Sequence, residues 1–425
     1  MFLRSSITVP VAALVVLAFA IPRASGAPWL RPRPSDVPAT AVLASVAPSE
    51  VQLYNDFGTP ERVFASRRVV VHYVGVGVSA PPLNDDDGSA VPDYVERVGH
   101  AADTAIDYFE RRGFRPIRPD SGGRDARPDI YVSRFTPGVL GVALPSSRAR
   151  GGAFVVVSNA LDPSSLESFG SVYGTVAHEL FHLTQFSYAA ADDDPPFPSW
   201  VLEGSAAAIE SRVHPGLDDL VSALQLRHWY GATHRSITTQ SYGAQLFWHH
   251  LDRRYPELLG AYLKRLGRLS VGEGLQDFVG TFRAVTKSSF GHTFHRFAVE
   301  VAADDLARLT PVRQLGTSER AQASVAPLAI HYMRLSVPRK APYELRVRVA
   351  GGAADVHTSL AYRLQSETAG YPSRLVRITP RVASEAGTLT FRLPRRLLRN
   401  PRFDSPVLIV SNGGVRPQRY TVSSR

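Results

Sequence analysis

Residues 171–188 read SVYGTVAHELFHLTQFSY and contain the motif His178-Glu179-Leu180-Phe181-His182 inside an apolar stretch that is compatible with a helix. Residues four apart share one face of a helix, so both imidazoles can reach a single metal ion. Glu179 is rotated by about 100° from His178, which lets its carboxylate act on water without being a ligand. The stretch therefore predicts a helix that supplies two metal ligands and a base.

A candidate third ligand follows in residues 200–206, WVLEGSA, where 20 residues separate His182 from Glu203. Catalytic zinc takes three protein ligands and a water, and two histidines with one glutamate are a known set. We expect Glu203 to start a second helix over 203–212. The alternative is that Glu203 merely starts an ordinary exposed helix.

HELFH followed by WVLEGSA resembles the gluzincin zinc metallopeptidases, the clan of thermolysin and of the aminopeptidases with a W-x-x-E-G-x-A segment. The chain is more closely similar to secreted bacterial metallopeptidases that combine D-G-x-G-V-P-D-Y-V-E, H-E-x-F-H-x-x-Q and W-x-x-E-x-x-A. That resemblance covers roughly residues 65–425 and is strongest over 172–212. It implies that His178, His182 and Glu203 are zinc ligands and that Glu179 is the general base.

Two further roles follow from the same resemblance. Glu210 lies seven residues after Glu203, where the aminopeptidase-type gluzincins often place a glutamate that orients a ligand; the alternative is a surface residue. Tyr242, in SYGAQLFWHHL, is similar to the tyrosine that donates its phenol to the oxyanion in those enzymes. His228 and His234 are the fallback candidates for that donor.

One departure from the aminopeptidases bears on specificity. Their G-x-M-E-N segment, whose glutamate holds the free amine of the substrate, corresponds here to GAFVVVSN at 152–159, which has no acid. An edge strand can still pair with an extended peptide. An endopeptidase is therefore favoured over an aminopeptidase.

A possible calcium loop spans residues 85–96, DDDGSAVPDYVE. Its side chains with oxygen atoms stand at the ligand positions of an EF-hand loop: Asp85, Asp87, Ser89, Asp93 and Glu96. Ala90 occupies the position at which glycine normally permits a sharp turn. The alternative is an acidic turn that caps the following helix.

Composition narrows the class of protein. The 425 residues are 44% hydrophobic and 20% charged, which excludes intrinsic disorder, collagen and a polytopic membrane protein. There is no cysteine, so a zinc site must use histidine and carboxylate ligands. The net charge of the whole chain is +10. Residues 311–425 have 19 basic and 6 acidic side chains and so carry +13, which means that the rest of the chain is slightly acidic. No nucleic-acid recognition motif accompanies these arginines, so an anionic cell-surface polymer or lipid headgroups fit an exported protein better than a nucleic acid does. The alternative is a merely solvated basic face.

The chain divides into four predicted segments and an α+β fold. Residues 1–26 have a positive end, an apolar run and small residues, as in a secretory signal peptide, with an uncleaved anchor as the alternative. Residues 27–65 are a Pro/Ala-rich linker or prosegment. Residues 66–310 form a zincin-like metallopeptidase domain, with a small sheet, the active-site helix and a helical subdomain. Residues 311–425 form a basic β-sandwich.

The sequence thus favours a secreted, extracellular or periplasmic, zinc metallopeptidase that acts on protein or peptide substrates. We expect no nucleic-acid partner, and no integral membrane segment once the signal is removed. The alternative is an exported binding protein that keeps the fold without turnover. The pairs His249-His250 and His292/His295 have no acidic partner at ligand spacing, so we interpret them as ordinary helix histidines.

Overall fold

The computed structural model describes most of the chain beyond residue 60. The described residues are 51–52, 60–119, 126–135, 139–145, 152–164, 170–189, 197–215, 230–268, 274–305, 311–338, 343–352, 354–364, 374–378, 381–382, 387–400, 403 and 406–425. The predicted signal peptide lies outside them. Within these ranges, each helix is too short or too polar to span a lipid bilayer.

The chain forms two compact units, one of Met1–Ser187 with Val213–Leu217 and one of Tyr188–Arg212 with Asp218–Arg425. This division does not follow the predicted boundary at residue 310. The mixed α+β class and the β-rich C-terminal region agree with the sequence analysis.

The described part of the first unit contains a six-stranded sheet in the order β2-β3-β4-β6-β5, with β1 beside β4. The strands are β1 (Val51–Gln52), β2 (Glu61–Ala65), β3 (Val70–Val74), β4 (Asp129–Phe135), β5 (Gly141–Pro145) and β6 (Ala153–Ser158). β3, β4 and β6 are parallel, whereas β2 and β5 are antiparallel to their neighbours at the two edges. Since β2 consists of the last five residues of the predicted linker, packed structure begins before residue 66.

Two helices of this unit are α1 (Asp93–Arg111) and α2 (Val172–Phe186). The hydroxyl of Ser171 caps α2 by accepting a hydrogen bond from the Gly174 N–H at 3.1 Å. Helix α2 packs against α1, β5 and β6, and nearly all of its residues are buried. The α1–α2 contact includes the rings of Phe109 and Phe181, 5.3 Å apart. The motif His178-Glu179-Leu180-Phe181-His182 therefore lies on a helix that is held on several sides.

Strand β3 carries a buried histidine between two carboxylates. The Nδ1 atom of His72 lies 3.1 Å from Glu61 Oε1, and its Nε2 atom lies 3.1 Å from Asp129 Oδ1. The ring also stacks on Tyr131 at a centroid distance of 4.5 Å. Burial alone would lower the pKa of His72, but the hydrogen bonds to Asp129 and Glu61 outweigh it and raise the pKa to about 9. The imidazolium is thus the form that satisfies both neighbours.

We expect the stability of this unit to fall as the pH rises from 6.5 to 9. The folded state holds the His72 proton through this window and the unfolded chain releases it near pH 6.5, so about 3 kcal/mol present below pH 6.5 is lost by pH 9. Urea denaturation at several pH values in this window measures the slope of the free energy of unfolding against pH. The control is the neutral variant Glu61→Gln/His72→Gln/Asp129→Asn, which should lose it. An unchanged slope in that variant would assign the effect to other groups.

The described part of the second unit starts with helices around an aromatic core. The helices are α3 (Ser199–Val213), α4 (Gln245–Arg254), α5 (Leu258–Leu266), α6 (Gly274–Thr286) and α7 (Phe290–Asp305), with a short α8 (Arg395–Leu398) later in the chain. The core is built from large, fully buried rings: Trp200, Phe247, Trp248, Tyr262 and Phe278. These rings contact one another at centroid distances of 5.0–6.3 Å. They fix α3 against α4 and α6.

The C-terminal strands form two sheets. The strands are β7 (Arg313–Leu315), β8 (Arg320–Val325), β9 (Ala329–Leu335), β10 (Tyr343–Val349), β11 (Val356–Leu364), β12 (Arg374–Ile378), β13 (Arg381–Val382), β14 (Thr388–Leu393), β15 (Val407–Asn412) and β16 (Gln418–Ser424). Their orders are β13-β14-β10-β16-β8 and β12-β11-β15-β9-β7. One hydrophobic core takes side chains from both sheets, as in the predicted sandwich.

Helix α7 covers the outer face of the second of these sheets. The Tyr332 hydroxyl donates to the Ala298 carbonyl oxygen at 2.7 Å, and the His295 ring nitrogens lie 2.8 Å from Ser411 Oγ and 2.7 Å from Ser359 Oγ. His295 is therefore a packing residue, as expected. His250 also packs internally, and its Nδ1 atom lies 2.9 Å from Oε2 of Glu300 on α7.

Candidate metal centre

Helix α2 brings the three motif residues onto one buried surface. His178 and His182 are each 6% exposed and Glu179 is 8% exposed. The two imidazole rings are one helical turn apart, with centroids at 4.7 Å and planes at 85°. The spacing of the motif therefore produces the predicted arrangement of two histidines and a glutamate.

Gln185 orients one of these histidines. Its side-chain Oε1 lies 2.7 Å from His182 Nδ1. Since a carbonyl oxygen only accepts, Nδ1 carries the proton and the lone pair of the neutral ring is on Nε2, the form that ligates a metal. Gln185 stands in the H-E-x-F-H-x-x-Q pattern three residues after His182, and this position could have indicated its role.

Glu203 joins the two histidines. One ligand atom from each of His178, His182 and Glu203 lies within 4.8 Å of the others. Two imidazoles and one carboxylate are a donor set of catalytic zinc, so these residues fit that metal. The group is also the one that the sequence predicted.

The W-x-x-E-G segment holds Glu203 in place through its neighbours on α3. The Trp248 Nε1–H donates to the Trp200 carbonyl oxygen at 2.7 Å. A Cβ atom on Gly204 would lie 2.7 Å from Ala244 Cβ and 3.0 Å from the Ser241 carbonyl oxygen, so glycine permits this close approach. Helix α3 starts at Ser199, so Glu203 lies one turn inside the helix and the predicted start at Glu203 was wrong.

Tyr242 and Glu210 lie on the elements that surround Glu203. Tyr242 begins a short 3₁₀ turn, Tyr242–Ala244, which is the turn that contacts Gly204. Glu210 is half-buried on α3, two turns after Glu203. Their chemical roles stay predictions. Of the fallback residues, His234 is exposed and His228 lies outside the described residues.

Strand β5 runs beside the base. A Cβ atom on Gly141 would lie 2.9 Å from Glu179 Cγ, 3.2 Å from Glu179 Oε1 and 3.1 Å from Thr175 Cγ2. These separations are shorter than ordinary carbon–carbon contacts, so only glycine lets the strand pass this close to Glu179.

The strand that was predicted to lie at the edge of the sheet does not lie at an edge. The strand predicted as the edge, within 152–159, is β6, which is buried and pairs with β4 on one side and β5 on the other. Among the described residues, β2 and β5 are the two edge strands of this sheet, and β5 (141–145) has β6 as its only partner strand. Neither β5 nor β6 contains an acidic residue.

The 85–96 loop brings together part of the predicted calcium ligands. Carboxylate oxygens of Asp85, Asp87 and Asp93 lie within 4.8 Å of one another, without Glu96 in the group. Ala90 adopts a φ of 68°, so the tight turn forms despite its Cβ atom. The Ser89 N–H donates to Asp87 Oδ1 at 3.0 Å, and this backbone hydrogen bond lowers the pKa of Asp87. An acidic turn also accounts for these contacts, so calcium binding stays a prediction.

If the loop binds calcium, adding calcium to chelator-treated protein should raise its Tm, because a cation relieves repulsion between the three carboxylates. Asp87→Ala should abolish the rise, whereas Asp86→Ala, at an exposed neighbour outside the group, should keep it. A wild-type Tm that does not respond to calcium would leave only the acidic turn.

The comparisons with known proteins do not assign this chain to a family. No protein-family profile matches the chain, and no curated protein does. Among solved structures it matches the crystal structure of the pre-peptidase C-terminal domain of collagenase from Bacillus anthracis, at 10% identity. The match covers 27% of this chain and 97% of that chain with a TM-score of 0.19, which is too low to support any argument.

Proposed function

We propose that this protein is an exported zinc metallopeptidase of the gluzincin type that cleaves peptide bonds within protein or peptide chains. The observation that carries the proposal is the convergence of His178, His182 and Glu203, with Glu179 on the same helix as the two histidines. Export rests on the sequence of residues 1–26. The zincin-like interpretation of residues 66–310 belongs to the same proposal.

His178, His182 and Glu203 would hold the metal. Zinc, when bound, polarises a carbonyl group and lowers the pKa of a coordinated water towards about 7. Gln185 keeps His182 in the tautomer whose Nε2 is the ligand atom. Glu210 is proposed to orient a ligand from its position two turns along α3.

Glu179 is the proposed general base. Its carboxylate takes the proton of the attacking water and delivers it to the nitrogen of the leaving amine. The buried position of Glu179 on a well-packed helix limits its freedom, so the carboxylate is oriented before substrate arrives. Tyr242 is proposed to donate its phenol to the oxyanion that develops on the carbonyl oxygen.

The open edge of β5 supports an endopeptidase. An extended substrate can add to this edge through backbone hydrogen bonds, which would place its chain beside Glu179. Because neither β5 nor β6 contains an acid, the strands supply no carboxylate for a free amino terminus. Internal bonds of a polypeptide are therefore the proposed substrates.

The deciding experiment measures zinc and hydrolysis on the same purified protein. We expect about one zinc per chain by elemental analysis, and cleavage of an unfolded protein that stops with a chelator and returns with zinc. Bound zinc without cleavage of a broad peptide library would favour the non-catalytic binding protein instead. Cleavage that persists in chelator, with no zinc in the protein, would contradict the proposal.

A further inference from the structure

The sheet β13-β14-β10-β16-β8 presents a strongly basic outer face. Side chains alternate along β10, so that Tyr343, Leu345 and Val347 are buried whereas Arg346 and Arg348 are exposed. The same alternation in the neighbouring strands and at the chain end places six exposed arginines on one face: Arg320, Arg346, Arg348, Arg392, Arg419 and Arg425. We call this surface the arginine face.

The strand register sets the spacing of these charges. Arg346 lies opposite Ser423, and Ser423 lies opposite Arg320, so Arg346 and Arg320 are two strands apart, about 10 Å. Arg346 and Arg348 are two residues apart on one strand, about 7 Å. The cations therefore form an open array in two dimensions.

Among the described residues, one carboxylate, that of Glu344, lies on this face and contacts three of its guanidinium groups. Glu344 Oε1 lies 2.9 Å from Arg346 Nε and 2.6 Å from Arg425 Nη2, and Glu344 Oε2 lies 3.0 Å from Arg392 Nε. Three guanidinium groups thus share one negative charge, and the six arginines with Glu344 leave a net charge of +5.

The remaining three cations are Arg320, Arg348 and Arg419. They form no ion pair with a carboxylate among the described residues. Hydroxyl and amide side chains lie beside them in the register, namely Gln322, Ser324, Thr421 and Ser423. The opposite side of the sandwich is the sheet that α7 covers. Within the described part of the chain, the arginine face is accordingly the outer sheet surface whose charged side chains remain exposed.

We propose that the arginine face binds a linear anionic polysaccharide that carries carboxylate or sulfate groups. Guanidinium groups donate paired hydrogen bonds to such oxyanions. The hydroxyl and amide side chains between them match the hydroxyl groups of a sugar chain. This binding is independent of the metal centre and of the proposed hydrolysis.

The same face disfavours the other polyanions. Proteins that bind single-stranded nucleic acid stack bases on exposed aromatic rings, but the aromatic residues of these strands, Tyr343, Phe391 and Tyr420, are buried in the core. A lipid surface requires apolar side chains that enter the interface. The outward positions on β8, β10 and β16 hold only polar and charged residues.

The test is affinity electrophoresis of the full chain in gels that contain polygalacturonate or chondroitin sulfate, with dextran as the neutral polymer. We expect retardation by both anionic polymers and none by dextran. Arg320→Gln/Arg348→Gln/Arg419→Gln should weaken the apparent affinity about tenfold, since three exposed charge contacts are lost. Added salt should weaken wild-type binding as well.

The matched control, Arg253→Gln/Lys264→Gln/Arg283→Gln, removes three exposed charges from α4, α5 and α6. It should bind as tightly as wild type, and both variants should keep the wild-type Tm. An equal loss in the control would show that net charge alone drives binding and would overturn the proposal. No retardation, or tighter binding to an oligo(dT) of matched charge, would overturn it too.

Discussion

Replacing Glu179 by glutamine is expected to abolish most of the hydrolysis while leaving the zinc content at the wild-type level. The amide keeps the shape of the side chain but cannot take a proton, and general base catalysis contributes about 10²- to 10⁴-fold. The proposed ligand group is His178, His182 and Glu203, which the substitution leaves intact. Elemental analysis and the rate of peptide cleavage, measured on the same preparations, check both parts.

The matched control for Glu179→Gln is Glu257→Gln, an exposed glutamate beside the start of α5. It should retain full activity and zinc. Activity within a few-fold of wild type in Glu179→Gln would assign the base to another residue. A loss of zinc together with activity would instead make Glu179 a ligand or a structural support of the metal centre.

The second large effect is expected at Gly141, a residue with no chemistry of its own. In Gly141→Ala the new methyl would lie 2.9 Å from Glu179 Cγ and 3.2 Å from Oε1, so the base or the strand must move. Displacement of a catalytic group by about 1 Å can cost about 100-fold in rate. We expect kcat to fall by about 10- to 100-fold, with the zinc content unchanged and KM altered by only a few-fold.

Two variants separate this effect from a general loss of structure. Gly280→Ala, on α6, adds a methyl with no heavy atom within 4 Å and should leave kcat unchanged. Gly141→Ala/Thr175→Ser removes the clash with Thr175 Cγ2 but keeps the one with Glu179. Recovery of activity in the double variant would show that strand displacement by Thr175, and not movement of Glu179, caused the loss.

Elements with strong local signals were predictable from sequence. Helix α2 follows from the apolar run after the capping residue Ser171, and β4 and β6 follow from their stretches rich in β-branched and aromatic residues, DIYVSRF and AFVVVS. The His178/His182 pair was predictable because its spacing is a local property of one helix, whereas Glu203 was predicted from the resemblance of residues 200–206 to a known segment. The sandwich strands at 343–349 and 388–393 follow from alternation.

The features that were not predicted from the sequence depend on contacts between residues that are far apart along the chain. Strand β5, GVALP, is short, contains glycine and proline, and becomes a strand only by pairing with β6. Glu300 meets His250 from 50 residues away, and spacing along one helix carries no sign of that contact. Ala90 adopts a φ of 68°, a conformation that residues other than glycine rarely adopt, so the loop and not the preference of alanine determines this turn.

The open edge of β5 has a further consequence, for the solubility of the protein. The unpaired side of an edge strand can join the edge strand of a second copy as readily as it joins an extended peptide. Long flat edges of this kind cause aggregation. Here the edge is five residues long, starts with glycine and ends at Pro145, which has no N–H to donate. A short edge that ends in proline gives a neighbouring molecule too few hydrogen bonds for lasting association. If the proposed function holds, the same edge would hold a peptide briefly and then release it.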